Sequence, residues 1–185
     1  RTPRLTTVQP PQPGSGWSLM MNHQRSPTDE LAVRRAIQLA SDKEGMSLTI
    51  WNGIGTPACG PLTNVMFGFD KSMCDLYPYD PEKAEQVLED AGWTDQNGDG
   101  VREANGVNGV ADGTKLVIDH YYQADNALSQ QMADYMKADL AKVGIDVELH
   151  GLSRSGYFDA VRSGQHNTQN WWETATDPDV VRILF

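Results

Sequence analysis

The sequence predicts an α/β domain in which helices cover a sheet, and three observations carry that prediction. Segments with strand character alternate with segments of helical period along the chain. The composition, 39% hydrophobic with five Trp, supplies material for a core. The length, 185 residues, accommodates one sizeable domain or two small ones. No internal repeat is visible.

Residues 1–16 are rich in Pro, Thr, Gln, Gly and Ser and read as an extended linker, leaving 17–185 for the folded unit. Trp17 to Asn22 reads as a short strand, and Ser26-Pro27 as a turn. Thr28 or Asp29 caps a helix whose apolar face is Val33, Ala36, Ile37 and Ala40. Gly53 to Pro78, dense in Gly and Pro, has no sustained period and reads as a long irregular loop. Asp80 as N-cap and Pro81 at the first helical position open the next helix, which buries Ala84, Val87, Leu88 and Ala91 and stops at Gly92.

After a turn-rich stretch from Asp95 to Gly113, Leu116 to Tyr122 has the β-branched and aromatic content of a buried strand. A long helix follows from Ala127 to Val143, striped by Leu128, Met132, Tyr135, Met136 and Leu140 and ended by Gly144. Ile145, Val147 and Leu149 alternate with Asp146, Glu148 and His150, the pattern of a half-buried strand. Tyr157, Phe158 and Val161 mark a helix closed by Gly164, and a last strand runs from Thr168 to Trp172.

The charge balance, Lys+Arg 15 against Asp+Glu 25 for a net of -10, argues against a nucleic-acid partner, which would need a basic face. The apolar runs fall far short of the roughly 20 residues of a membrane span. The chain opens on Arg1 and stops on Ile183-Leu184-Phe185, and is read as a mature protein or a piece of one. Cys59 and Cys74 share one Gly/Pro-rich segment. Two readings stand: a disulfide contributing ~3 kcal/mol in an oxidising compartment, or two free thiols in a reducing one. A Cys-based zinc site or redox motif lacks the ligands.

Few residues carry recognisable chemistry. Asp95, Asn97 and Asp99 match the first half of a calcium loop, with Gly100 at the sharp turn, but the closing position is Gly106 and the nearest acid is Glu103. The segment therefore reads first as a polar turn, with calcium as the weaker alternative. Trp171 and Trp172, followed by Glu173 and Thr174, are candidates for solute contact because adjacent strand residues face opposite sides, leaving one ring free of the core. Tyr121, Tyr122 and Gln123 at the end of another strand invite the same reading, since ligands gather at strand carboxyl ends. Both pairs can equally fill the interior. The sequence holds no nucleophile-elbow, zincin, Walker or dinucleotide fingerprint, and His23, His120, His150 and His166 lack metal-ligand spacing. Abundant carboxylates leave an extracellular, calcium-dependent glycan hydrolase as the alternative of a different class.

The order of segments resembles the family 5 extracellular solute-binding proteins of ABC importers. The matching pieces include Met21-Asn22-His23-Gln24-Arg25-Ser26-Pro27 leading to Val33-Arg34-Arg35-Ala36-Ile37, then Ala40-Ser41-Asp42-Lys43-Glu44 and Gly55-Thr56-Pro57. Tyr79-Asp80-Pro81-Glu82-Lys83-Ala84, Ala91-Gly92-Trp93, Asp95 to Glu103, Asp139 to Ile145 and Asp177-Pro178-Asp179 complete the set. The resemblance implies a periplasmic-binding-protein-like fold of type II, cluster C, with a mixed sheet flanked by helices. It implies that 17–185 is an incomplete second lobe, cut at its C-terminus, and that 1–16 is a linker or lobe-crossing segment.

It further implies a monomeric protein without cofactor or metal, periplasmic or lipid-anchored outside the cell. Such a protein passes a peptide or other small solute to membrane permease subunits, or presents it to a chemoreceptor. Export agrees with a Cys59–Cys74 bridge. Peptide-binding members carry an Asp three residues past the strand Trp, where Thr174 stands here beside Glu173. Oligopeptide binders can carry an Arg three residues before it, where Thr168 stands. These departures open oligosaccharides and opine-like conjugates as alternative solutes, with Trp171 or Trp172 as the stacking surface.

Overall fold

The computed structural model describes residues 12–184 and builds them around a four-stranded mixed sheet. The elements in chain order are β1 (Gly14–Met21), α1 (Leu31–Ala40), α2 (Lys43–Trp51), α3 (Pro81–Asp90), β2 (Trp93–Thr94), β3 (Glu103–Ala104), β4 (Val117–Gln123), α4 (Ala127–Ala141), β5 (Asp146–Leu152), α5 (Arg154–Arg162), β6 (Thr168–Thr174) and α6 (Val181–Leu184). The predicted linker lies outside the described residues up to position 11. Its last residues, Gly14 to Gly16, belong to β1, so the first strand starts before Trp17.

The sheet order is β1-β6-β4-β5, with β4 parallel to both β5 and β6 and β1 antiparallel to β6. The chain leaves β4 through α4 to its neighbour β5, then returns through α5 across β4 to β6. Two adjacent residues of β6 show where the helices lie. Asn170 donates its amide to Ser129 O of α4 at 2.9 Å, while Gln169 accepts from the Tyr157 hydroxyl of α5 at 2.6 Å. Because neighbouring strand residues point to opposite faces, α4 and α5 cover opposite sides of the sheet. Gly14 pairs with Thr174 so closely that a Cβ there would collide with the Glu173 carbonyl, and its φ of 122° suits glycine alone.

The main core lies where α1, α3 and α4 meet the sheet: Val33, Ala36 and Ile37 of α1, Ala84 and Leu88 of α3, Leu140 of α4, then Trp93, Leu116, Ile118, Ile145 and Val147. The large side chains among them each contribute roughly 1.5–3 kcal/mol by burial. Asp80 caps α3 by accepting from Lys83 N at 2.9 Å, and Asn126 caps α4 by accepting from Leu128 N and Ser129 N. Arg102, only 7% exposed, ties the β2–β3 hairpin to the corner after α4 by donating to Val143 O and Trp93 O at 2.9 and 3.0 Å.

The long loop after α2 is irregular apart from a short 3₁₀ turn at Lys71–Asp75. It is held by a disulfide between Cys59 and Cys74 and by Thr63 N donating to Gly14 O at 2.9 Å. A satellite apolar cluster of Leu62, Met66 and Val180 joins this loop to the segment following β6.

Candidate functional site

The carboxyl ends of β4, β5 and β6 lie at one edge of the sheet, and the chain's reversal around β4 opens a depression there. Open α/β sheets offer their ligand crevice at such a point. The depression has a volume of about 690 Å³. Its floor and walls come from the ends of the strands and the first turns of the helices that follow them. Gln123 closes β4, Asp125 to Leu128 lead into α4, Arg154 and Phe158 lie on α5, and Trp171 to Thr174 end β6.

The four β6 residues singled out in the sequence, Trp171, Trp172, Glu173 and Thr174, all line this depression. Their two indoles are held differently, as strand alternation requires. Trp172 stacks on Trp17 of β1 with ring centroids 3.9 Å apart. Trp171 meets Phe158 edge-on at 6.1 Å, and its indole nitrogen is buried without a hydrogen-bond partner. Phe158 is flanked by the guanidinium groups of Arg154 and Arg162, at 6.0 and 5.8 Å from its centroid. The site thus offers flat apolar surfaces, one cation in Arg154, two carboxylates in Asp125 and Glu173, and neutral hydrogen-bonding groups in Gln123, Asn126 and Thr174.

Tyr121 and Tyr122 are not among the lining residues. Tyr121 stacks on His150 of β5 at 4.6 Å, and the Tyr122 ring covers Gly151 so tightly that a Cβ there would lie 2.7 Å from its hydroxyl. Tyr121 and Tyr122 precede by two residues and one residue the edge position, which Gln123 occupies. The sequence reading also passed over Asp125, Asn126, Leu128, Arg154 and Phe158. Their signal was positional: each lies between the end of a parallel strand and the second turn of the helix that follows it.

The Asp95–Glu103 turn is fastened by its own groups. Asp95 accepts from Gly98 N and Gly100 N, Asn97 accepts from Asp99 N and donates to Glu103, and Lys115 donates to Asp99 at 2.6 Å. That lysine contact, with the Val101 amide, holds the Asp99 carboxyl below its ordinary range. Asp95, Asp99 and Glu103 do converge, but Asn97 spends its oxygen inside the turn. No helix of the described residues is long and apolar enough to cross a membrane.

With this geometry in hand, comparison with known proteins is informative. A family model described as bacterial extracellular solute-binding proteins, family 5 Middle, matches residues 2–185. The nickel-binding periplasmic protein of Escherichia coli K12 is 33% identical over 177 residues, covering 90% of this chain and 31% of that protein. The dipeptide-binding protein of the same organism is 28% identical over 163 residues, covering 87% of this chain and 28% of its own length. Among solved structures, NikA from Brucella suis in complex with Fe(III)-EDTA matches with a TM-score of 0.79 at 30% identity, over 92% of this chain and 33% of that one. The oligopeptide-binding protein AppA from Bacillus subtilis shares the fold, with a TM-score of 0.77 at 21% identity over 90% of this chain and 32% of that one. The chain spans about a third of the length of the relatives it matches.

Proposed function

The chain belongs to the family 5 bacterial extracellular solute-binding proteins, and from that membership we propose that it is the solute-holding second lobe of an ABC importer's binding protein, with a peptide or peptide-like solute as its cargo. The observation that carries the reading is the aromatic-lined depression at the carboxyl edge of β4, β5 and β6. A solute seated there contacts Trp171 and Trp172, while Asp125, Glu173 and Arg154 meet its charged ends. The rest of the longer protein supplies the opposite wall. The solute stabilises the closed arrangement of the two lobes by contacting both, and membrane permease subunits take it from that state. The protein acts as an exported monomer, free in the periplasm or lipid-anchored, and releases its solute chemically unchanged.

One observation favours a second solute class. Thr174, Gln123 and Asn126 place neutral hydrogen-bonding groups beside the indole surfaces, which suits an oligosaccharide or an opine-like conjugate. A thermal-shift panel on the full-length protein separates the two. Di- and tripeptides raise Tm in the primary reading, by an amount corresponding to about 2.7 kcal/mol at a hundredfold excess over Kd. A response to oligosaccharides or opines alone transfers the assignment to the second reading. Equal responses from the wild type and from Trp171→Ala and Trp172→Ala would remove the depression as the site.

A further inference from the structure

A separate set of ligand-type side chains gathers on the sheet, sharing no residue with the depression. The parallel register sets Asp119 of β4 opposite Glu148 of β5, and Tyr121 opposite His150. Side chains two apart on a strand, and register partners across a ladder, share a face, so all four project to the same side. That side is the one carrying α5, because Tyr121 is also the register partner of Gln169, which meets Tyr157 of α5. One ligand atom each from Asp119, Glu148 and His150 lies within 4.8 Å of the others. His150 Nε2 and Asp119 Oδ1 are in hydrogen-bond contact at 2.8 Å, so the two donors already face each other.

Two further contacts fix the aim of these donors. The Tyr121 ring stacks on the imidazole at 4.6 Å and sets its plane. Arg25 donates from Nη2 to Asp119 Oδ2 at 2.5 Å, orienting the carboxylate and leaving its other oxygen toward His150. Outer partners of this kind orient the ligands of metal sites.

We propose that Asp119, Glu148 and His150 form a binding site for a divalent transition-metal ion of the zinc, cobalt and nickel class. The mixed nitrogen and oxygen donors favour these ions over magnesium and calcium, which seek oxygen alone. Glu148 is exposed while Asp119 and His150 are half-buried, so the three protein ligands leave the remaining positions to water on the Glu148 side and the ion exchanges with solvent. Without metal, the Nε2–H of His150 donates to Asp119. Coordination needs the lone pair of that nitrogen, so the ring proton moves to Nδ1.

The test is calorimetric titration of the full-length protein with ZnCl₂ at neutral pH in a non-chelating buffer, with Co²⁺ absorption as a second readout. The expected result is one saturable ion per chain and a visible Co²⁺ band. Affinity drops at least about tenfold in both His150→Ala and Glu148→Gln, with loss of the band. His23→Ala, which removes an exposed histidine elsewhere, binds like the wild type, and MgCl₂ gives no saturable heat. Far-UV circular dichroism confirms that the variants are folded, and Glu148→Gln, at an exposed position, serves where His150→Ala does not fold. No saturable zinc in the wild type, unchanged affinity in the folded variants, or equal binding of magnesium would each overturn the site.

Discussion

His120 sits fully buried on β4 with Nδ1 2.9 Å from the Thr168 hydroxyl and Nε2 without a partner. Burial, with smaller contributions from His150 and His166, lowers its pKa from 6.5 to about 3. His166 is shifted the same way by burial and by Arg25. Both rings are therefore neutral in the folded protein at pH values where the unfolded chain already binds protons. The unfolded state takes up more protons as pH falls, so the contribution is complete above the unfolded value of 6.5 and is lost below it. Unfolding free energies from urea titrations should drop between about pH 6 and pH 4, by about 1 kcal/mol per pH unit for His120, with a contribution of the same sign from His166. His120→Asn, which retains a partner for Thr168, should flatten part of that slope. A slope unchanged in the variant would show that other groups carry it. At the same scale, the Trp17–Trp172 stack should give a near-ultraviolet circular dichroism couplet that disappears in Trp17→Phe and persists in Trp171→Phe.

At the scale of elements, the corner after α4 depends on a glycine in a way that the turn at Gly98 does not. Gly144 has φ +80°, and a Cβ there would lie 2.7 Å from Cγ of the buried Arg102. Gly98 has φ +78° with nothing within 4 Å. Gly98→Ala should therefore cost about 1–2 kcal/mol from backbone strain alone. Gly144→Ala should cost about 1–3 kcal/mol more, because Arg102 must leave its carbonyl partners. Denaturant melts of the two variants compare them directly. Reduction of Cys59–Cys74 should remove ~3 kcal/mol of constraint from the long loop and expose it first to protease.

The elements that sequence made legible were those with strong punctuation. Asp80 and Pro81 announced α3, Gly144 announced the end of α4, and alternation from Ile145 onward announced β5. The helix α2 was missed because its buried face amounts to Ser47, while Gly45, Thr49 and Ile50 weaken its propensity. Its signals were at the ends: Asp42 accepts from Gly45 N, and Asn52 closes it in the left-handed region at φ 52°. The two-residue strands β2 and β3 have no periodicity to read, since their pairing depends on the turn between them.

For the whole molecule, strand order and register decide which residues meet, and neither is written in local pattern. Trp171 to Thr174 could be selected from the sequence as a cluster, but the partners that make a depression with them come from the first turns of α4 and α5. Tyr121 and Tyr122 look equivalent to the tryptophans in the sequence, but β4 runs on to Gln123, and that residue takes the edge. Likewise Asp119, Glu148 and His150 showed no metal-ligand spacing because their proximity is made across strands. The family relationship, by contrast, was legible from the order of short motifs, which survives divergence that local periodicity does not.

The central claim is that the carboxyl-edge depression holds the solute. Native mass spectrometry of the full-length protein, purified from its own host without refolding, tests it most directly when run beside Trp171→Ala and Trp172→Ala. The account predicts a small molecule of peptide mass retained by the wild type and lost, or reduced at least about tenfold in occupancy, in the tryptophan variants. The same molecule retained to the same extent by folded copies of both variants would contradict it.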